Sequence, residues 1–176
     1  MMKPSRLRRG SAALLLSAMI ACDRILPERQ DLSLPTPEEA TDVYSRHGVQ
    51  ADVALSGNVV ELRVSQDARQ LQRGGSLWAR VGPYVYVFSP ATKEVFDSWG
   101  GVAAVRAITV TARGGEEVAR AMLPRDALNE VTWRRTLNLL GTALRDGTER
   151  PSRLEELVEW GEQYTEHTYS PEFVRQ

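Results

Sequence analysis

An uncharged run rich in Ala and Leu, Ser11–Ala21, lies between a basic start and the chain's only cysteine, and it decides which residues are free to build a fold. Lys3, Arg6, Arg8 and Arg9 precede it and Cys22 closes it. A bilayer takes roughly 20 consecutive apolar residues to cross, so a run this short reads as a removable signal segment rather than a membrane helix. Residues 1–21 are therefore set apart from the fold, and the expected mature chain has 155 residues, the size of one domain.

The junction Met19-Ile20-Ala21-Cys22 resembles the lipobox of bacterial lipoproteins, in which a small residue precedes a cysteine that is lipidated and becomes the new N-terminus. Met19 stands where that family usually has Leu. The resemblance implies acylation of Cys22 and an extracytoplasmic, membrane-anchored protein, periplasmic in a Gram-negative cell. Each buried acyl CH₂ contributes about 0.8 kcal/mol and a single chain anchors only marginally, so the several chains of such lipoproteins hold durably. Asp23 resembles the signal that retains enterobacterial lipoproteins in the inner membrane. The resemblance covers residues 1–23 and carries nothing about the domain beyond them.

Composition narrows the chemistry. Without the four basic residues of the signal segment, 18 Lys and Arg face 23 Asp and Glu, a net charge of about −5, which argues against nucleic acid as a partner. Acylation of Cys22 leaves no thiol for a disulfide. His47 and His167 are the only histidines, too few with no free thiolate for the usual zinc or copper ligand sets, so neither metal nor cofactor is expected.

Residues 22–36, with Pro27 and Pro35 and no sustained apolar period, read as a lipidated tether, residues 37–169 as a single domain, and residues 170–176 as a tail. Thr36-Pro37-Glu38-Glu39 is an N-cap, proline and glutamate signature for a helix ending near Gly48. Alternation through Val49–Leu55 and Val60–Val64 around Ser56-Gly57-Asn58 predicts a hairpin. Gln66–Gly75 reads as a loop with a short helical turn, Leu77–Val81 and Tyr84–Phe88 as strands broken at Gly82-Pro83, and Ser89-Pro90 as the start of a small helix. Val102–Ala112 reads as a central strand and Glu117–Leu123 as its hairpin partner. Apolar periodicity from Trp133 to Leu144 predicts a helix, broken at Gly147–Pro151; Ser152-Arg153-Leu154-Glu155 reads as a capping box opening a second. The expected fold is α+β: a mostly antiparallel sheet of five or six strands with an N-terminal helix, an inserted helix and a C-terminal helical hairpin.

Candidate functional residues are few. Glu155, Glu159, Glu162 and Glu166 fall on one side of the last helix, where like charges at i,i+4 cost a few tenths of a kcal/mol each. They read either as a solvated edge paired with Arg134 or Arg135, or as a docking face for a basic partner or a weak cation site, the last disfavoured because no glycine-turned loop presents oxygens around a point. Ser98, between Asp97 and Trp99, lacks the G-x-S-x-G setting of a nucleophile elbow, and Glu116-Glu117 sits at a hairpin tip, so no catalytic residue is singled out. His47 and His167 read as helix-terminal side chains. The glycine pairs at 74–75, 100–101 and 114–115 match no phosphate-cradling pattern. The leading expectation is a non-catalytic, membrane-tethered domain that binds an envelope protein as an adaptor or assembly module. The alternatives are a carrier or sensor of a lipid or other apolar ligand, in a cavity between sheet and helical hairpin, and a hydrolase with an unrecognised site.

Overall fold

Thr36 fixes the start of the first helix. Its hydroxyl accepts the Glu39 N–H at 3.2 Å and its own N–H donates to the Glu39 carboxylate at 2.8 Å, the reciprocal pair that the sequence predicts. The computed structural model, which describes residues 32–66 and 68–174, continues from this cap into α1, Pro37–Arg46. Gly48, at φ 74°, turns the chain out of α1. β1 (Asp52–Ser56) and β2 (Val59–Gln66) then pair antiparallel as the expected hairpin.

β2 runs parallel to its other neighbour, β3 (Ala104–Thr111), and a parallel pair needs a crossover connection. Two helices supply it: α2, Ala68–Val87, and α3, Pro90–Ser98. Here the structure corrects the sequence reading, because Leu77–Val81 and residues 84–87 are helical, not strands, with Phe88 in the turn that follows, and residues 68–75 are the first part of α2 rather than a loop. Val81, Tyr84, Val87 and Phe88 are fully buried, a spacing of three, three and one that is one face of a helix. Their β-branched and aromatic composition favours a strand locally, and the burial of that stripe overrides it. Gly75, at φ 55° and ψ −139°, divides α2 into two pieces, and Pro83 lies inside the second, without an N–H to reach the Ala79 carbonyl.

β4 (Glu117–Pro124) returns antiparallel to β3, and α4 (Glu130–Asp146) follows with Asn129 capping the N–H groups of Val131 and Thr132 at 3.0 Å. α5, Ser152–Tyr164, packs beside α4. Its expected capping box does not form: Pro151 holds the N-cap position without a side-chain bond. β5, Glu166–Tyr169, pairs antiparallel with β4 from residues expected to end the last helix. The fold is α+β, and among the described residues the sheet has five strands in the order β1-β2-β3-β4-β5, all antiparallel except β2 with β3.

Val60 and Leu62 of β2, Val105 and Ala107 of β3, and Ala121 and Leu123 of β4 align in register and join α2 in the core. The intervening positions carry Glu61, Arg106 and Met122, with Arg106 paired to Glu61 at 3.1 Å. Part of the expected tether belongs to the folded body: Pro35 is buried and the Ser33 carbonyl accepts the Gly101 N–H at 2.8 Å. A side chain at Gly101 would collide with the backbone of Leu32 and Ser33, so a glycine is what lets this segment dock. Cys22 and Asp23 lie outside the described residues.

Candidate functional site

The four glutamates of the acidic stripe separate in the structure. Glu155 and Glu159 are exposed on α5 and make no salt bridge with any described residue. Glu166 is beyond the end of α5, on β5. Glu162 is drawn inward, where its Oε1 accepts from the Arg80 guanidinium at 2.6 Å and from the Tyr169 hydroxyl at 2.9 Å. Tyr84 completes the chain by donating to the Tyr169 oxygen at 2.5 Å. The expected pairing of Glu162 or Glu166 with Arg134 or Arg135 is thus replaced by Arg80, which comes from α2.

The electrostatics follow from these contacts. Burial pushes the Tyr84 hydroxyl up to about 12, and burial together with the Tyr84 contact raises that of Tyr169. For Glu162 burial acts upward, but the bonds from Arg80 and Tyr169 together outweigh it and hold the carboxylate below its ordinary value. Both phenols stay protonated and the carboxylate stays charged at neutral pH. This cluster ties α2, α5 and β5 together and leaves Glu162 with no freedom to meet a partner.

Beside it, α4 and α5 enclose a groove of about 620 Å³ lined by Arg135, Leu139, Glu156, Glu159, Trp160 and Tyr164. Its aromatic wall is built on an i,i+4 pair of α5: the Trp160 and Tyr164 ring centroids are 4.6 Å apart. Trp160 is pinned, because its indole N–H donates to the buried Thr136 hydroxyl at 2.8 Å and the Arg135 guanidinium lies 4.3 Å from its ring centroid. Glu156 is occupied by a two-pronged contact with Arg153 at 2.9 and 3.0 Å, which leaves Glu159 as the carboxylate on the rim without a salt bridge to a described residue, facing the same groove as the stacked Arg135. A rigid aromatic surface beside an unpaired carboxylate suits a basic or amphipathic segment of another chain. The sequence signal for the groove was partial, since the i,i+4 pair and the glutamates were visible while the stacking of Arg135 was not.

The remaining candidates are dispersed. His47 shares the Glu94 carboxylate with Arg46, each at 2.8 Å, on the surface. His167 is exposed on β5 beside Tyr169, and Asp97 pairs with Lys93 at 2.8 Å. Glu117 pairs with Arg120 at 3.4 Å, and its neighbour Glu116 is exposed. Neither imidazole is hydrogen-bonded to a hydroxyl, and the described residues contain no group of three or more His, Cys, Asp or Glu placed to hold a metal ion. The class so defined is an α+β domain with one groove between paired helices and a polar latch behind it. No protein-family model, no curated protein and no solved structure matches the chain.

Proposed function

We propose that this chain is a membrane-tethered, extracytoplasmic lipoprotein whose domain captures a protein partner through the α4–α5 groove, as a non-catalytic adaptor or assembly module. The observation that carries the reading is the unpaired Glu159, with Glu155 one turn before it, beside the fixed Trp160–Tyr164 surface. Charge complementarity then specifies a partner segment bearing Lys or Arg next to an apolar side chain. The lipobox-like junction at Cys22 supports the tethering, and the absence among the described residues of any helix long and apolar enough to cross a membrane leaves that junction as the means of attachment in this reading.

The test is photo-cross-linking in cells, with the reactive residue placed at the exposed Gln163 on the groove and, as a control, at the exposed Asp97. A single adduct is expected from Gln163 only, mapping to a Lys- or Arg-containing segment of one envelope protein. Changing Glu155 and Glu159 together to Lys abolishes that adduct while the domain stays folded, because both side chains are exposed and neither makes a salt bridge with a described residue; the melting temperature falls only slightly, through the charge reversal at Glu155 in the first turn of α5. Undiminished capture by the double variant overturns the reading. Glu162 is kept out of the test, since its loss breaks the latch to Arg80 and Tyr169.

A further inference from the structure

β2 runs on past the end of its pairing with β1. That pairing stops at Asp52 opposite Arg63, while Val64, Ser65 and Gln66 go on pairing with β3 alone. The hairpin settles which backbone groups this leaves over. Ser56 and Val59 flank a two-residue turn and so exchange both of their main-chain bonds, and alternation makes Ala54 with Glu61 and Asp52 with Arg63 the next such pairs. Ser65 is the next residue of β2 to aim its N–H and C=O toward the β1 side, and there no described residue bonds to either group. By register Gln50 would face it, but the Val49 N–H donates to the Tyr44 carbonyl at 2.9 Å, which holds that stretch of chain against α1 instead.

The space left open is a groove of about 790 Å³ between residues 48–52, the end of β2, and Val85 and Tyr86 of α2. It takes the place of the missing strand positions, so groups that Ser65 aims toward β1 open into it, and Ser65 is itself exposed there. On the helix side of the sheet Val64, Val85 and Tyr86 give the groove an apolar floor. Asp52 and Arg63 are the charged residues of its wall; they stand opposite one another on the two strands, and their charges cancel.

We infer that this groove receives an extended, uncharged internal segment of another polypeptide as an added strand, in line with β1 and antiparallel to β2. One residue of the segment gives its N–H to the Ser65 carbonyl and accepts the Ser65 N–H, the exchange that Gln50 does not make. Its two neighbours then turn their side chains to the helix side, onto Val64, Val85 and Tyr86, so both are apolar. Neutrality follows from the cancelled charges of the wall, and an internal segment from the absence of a net charge to meet a free terminus. The site is separate from the α4–α5 groove and rests on neither the tether nor the adaptor reading.

The probe is the capped peptide acetyl-Val-Thr-Val-amide, added to the full isotope-labelled chain in mild detergent and followed by NMR at the backbone amides. The Ser65 amide shifts saturably and exchanges more slowly with solvent as the peptide binds. Methylating the threonine nitrogen of the probe removes the donor to the Ser65 carbonyl and weakens binding about tenfold. Acetyl-Ser-Thr-Ser-amide, with the same main chain but no apolar pair, also binds more weakly. Ser65→Pro takes away an N–H that lies outside the ladder to β3, so the variant folds and loses affinity. No saturable shift at Ser65, equal affinity for the methylated peptide, or shifts confined to Val53 and Leu55 on β1 overturns the inference; the comparison of the two peptides on the wild-type chain decides even if Ser65→Pro does not fold.

Discussion

Arg125 shows how much one side chain carries in this fold. From the short 3-10 turn Arg125–Ala127, its guanidinium donates to the carbonyls of Val102 at 2.6 Å, Phe96 at 2.7 Å and Trp99, and lies 5.0 Å from the Phe96 ring centroid. Phe96 and Trp99 close α3, so a cation here also meets the negative end of that helix. Lysine keeps the charge but cannot present donors in three fixed directions. Arg125→Lys should therefore cost about 1–3 kcal/mol in urea unfolding by leaving carbonyls unpaired; a loss below about 0.5 kcal/mol, the range of an ordinary surface change, would mean the fork geometry is immaterial. Gly161 makes the opposite kind of demand. A Cβ there would enter the Tyr84 ring where α5 crosses α2, so Gly161→Ala should destabilise by about 1–3 kcal/mol through overpacking, despite alanine's better helix propensity. An increase in melting temperature for that variant would show that the crossing can widen without penalty.

β5 is the element most dependent on contacts outside itself, a four-residue edge strand held by β4 on one side and by the Tyr169–Glu162–Arg80 latch at its end. Glu162 has a folded pKa below its unfolded value, so its contribution is fully present above the ordinary glutamate range near pH 4.3 and is lost as pH falls through the folded pKa. Glu162→Gln should accordingly be less stable than wild type at pH 7, with the gap closing in acid below about pH 4. Parallel stability curves across that range would remove Glu162 from the latch. The same strand shows where the sequence ran out. Glu162 and Arg80 are 82 residues apart, and nothing local in Glu166–Tyr169 distinguishes a fraying helix end from an edge strand, because the strand exists through its pairing with β4. The elements that were legible carry their own signals: the Thr36–Glu39 box for α1, Ser89-Pro90 for α3, the alternation of β1 and β2. α2 was not legible because its two halves are interrupted by Gly75 and Pro83, each a breaker when read locally, and only the buried stripe against the sheet makes them helical. Of the candidate site, the exposed Glu155 and Glu159 could be read from sequence; the withdrawal of Glu162 into the latch could not.

At the scale of the whole molecule, the proposed lipoprotein reading has to say what would keep an acidic domain at a membrane. With a net charge of about −5 after the signal segment, its field does not favour an anionic lipid surface, and no described helix is suited to crossing a bilayer. In the proposed reading the membrane affinity comes from acyl chains on Cys22. The geometry adds a constraint, because the folded body begins at the segment docked on Gly101. In the proposed reading the nine residues 23–31, at most about 30 Å at full extension, bound how far that docked segment can stand from the lipid surface. A peripheral protein held by charge would leave in salt; one held by several acyl chains would not, since hydrophobic anchoring is not screened. The wild-type chain should thus stay with membranes through a wash in molar salt and leave only in detergent. Loss of that detergent-dependent membrane pool for Cys22→Ser, with the wild type retained, is the expected outcome by fractionation. Equal, salt-resistant retention of both would place the attachment elsewhere and detach the adaptor proposal from its tether.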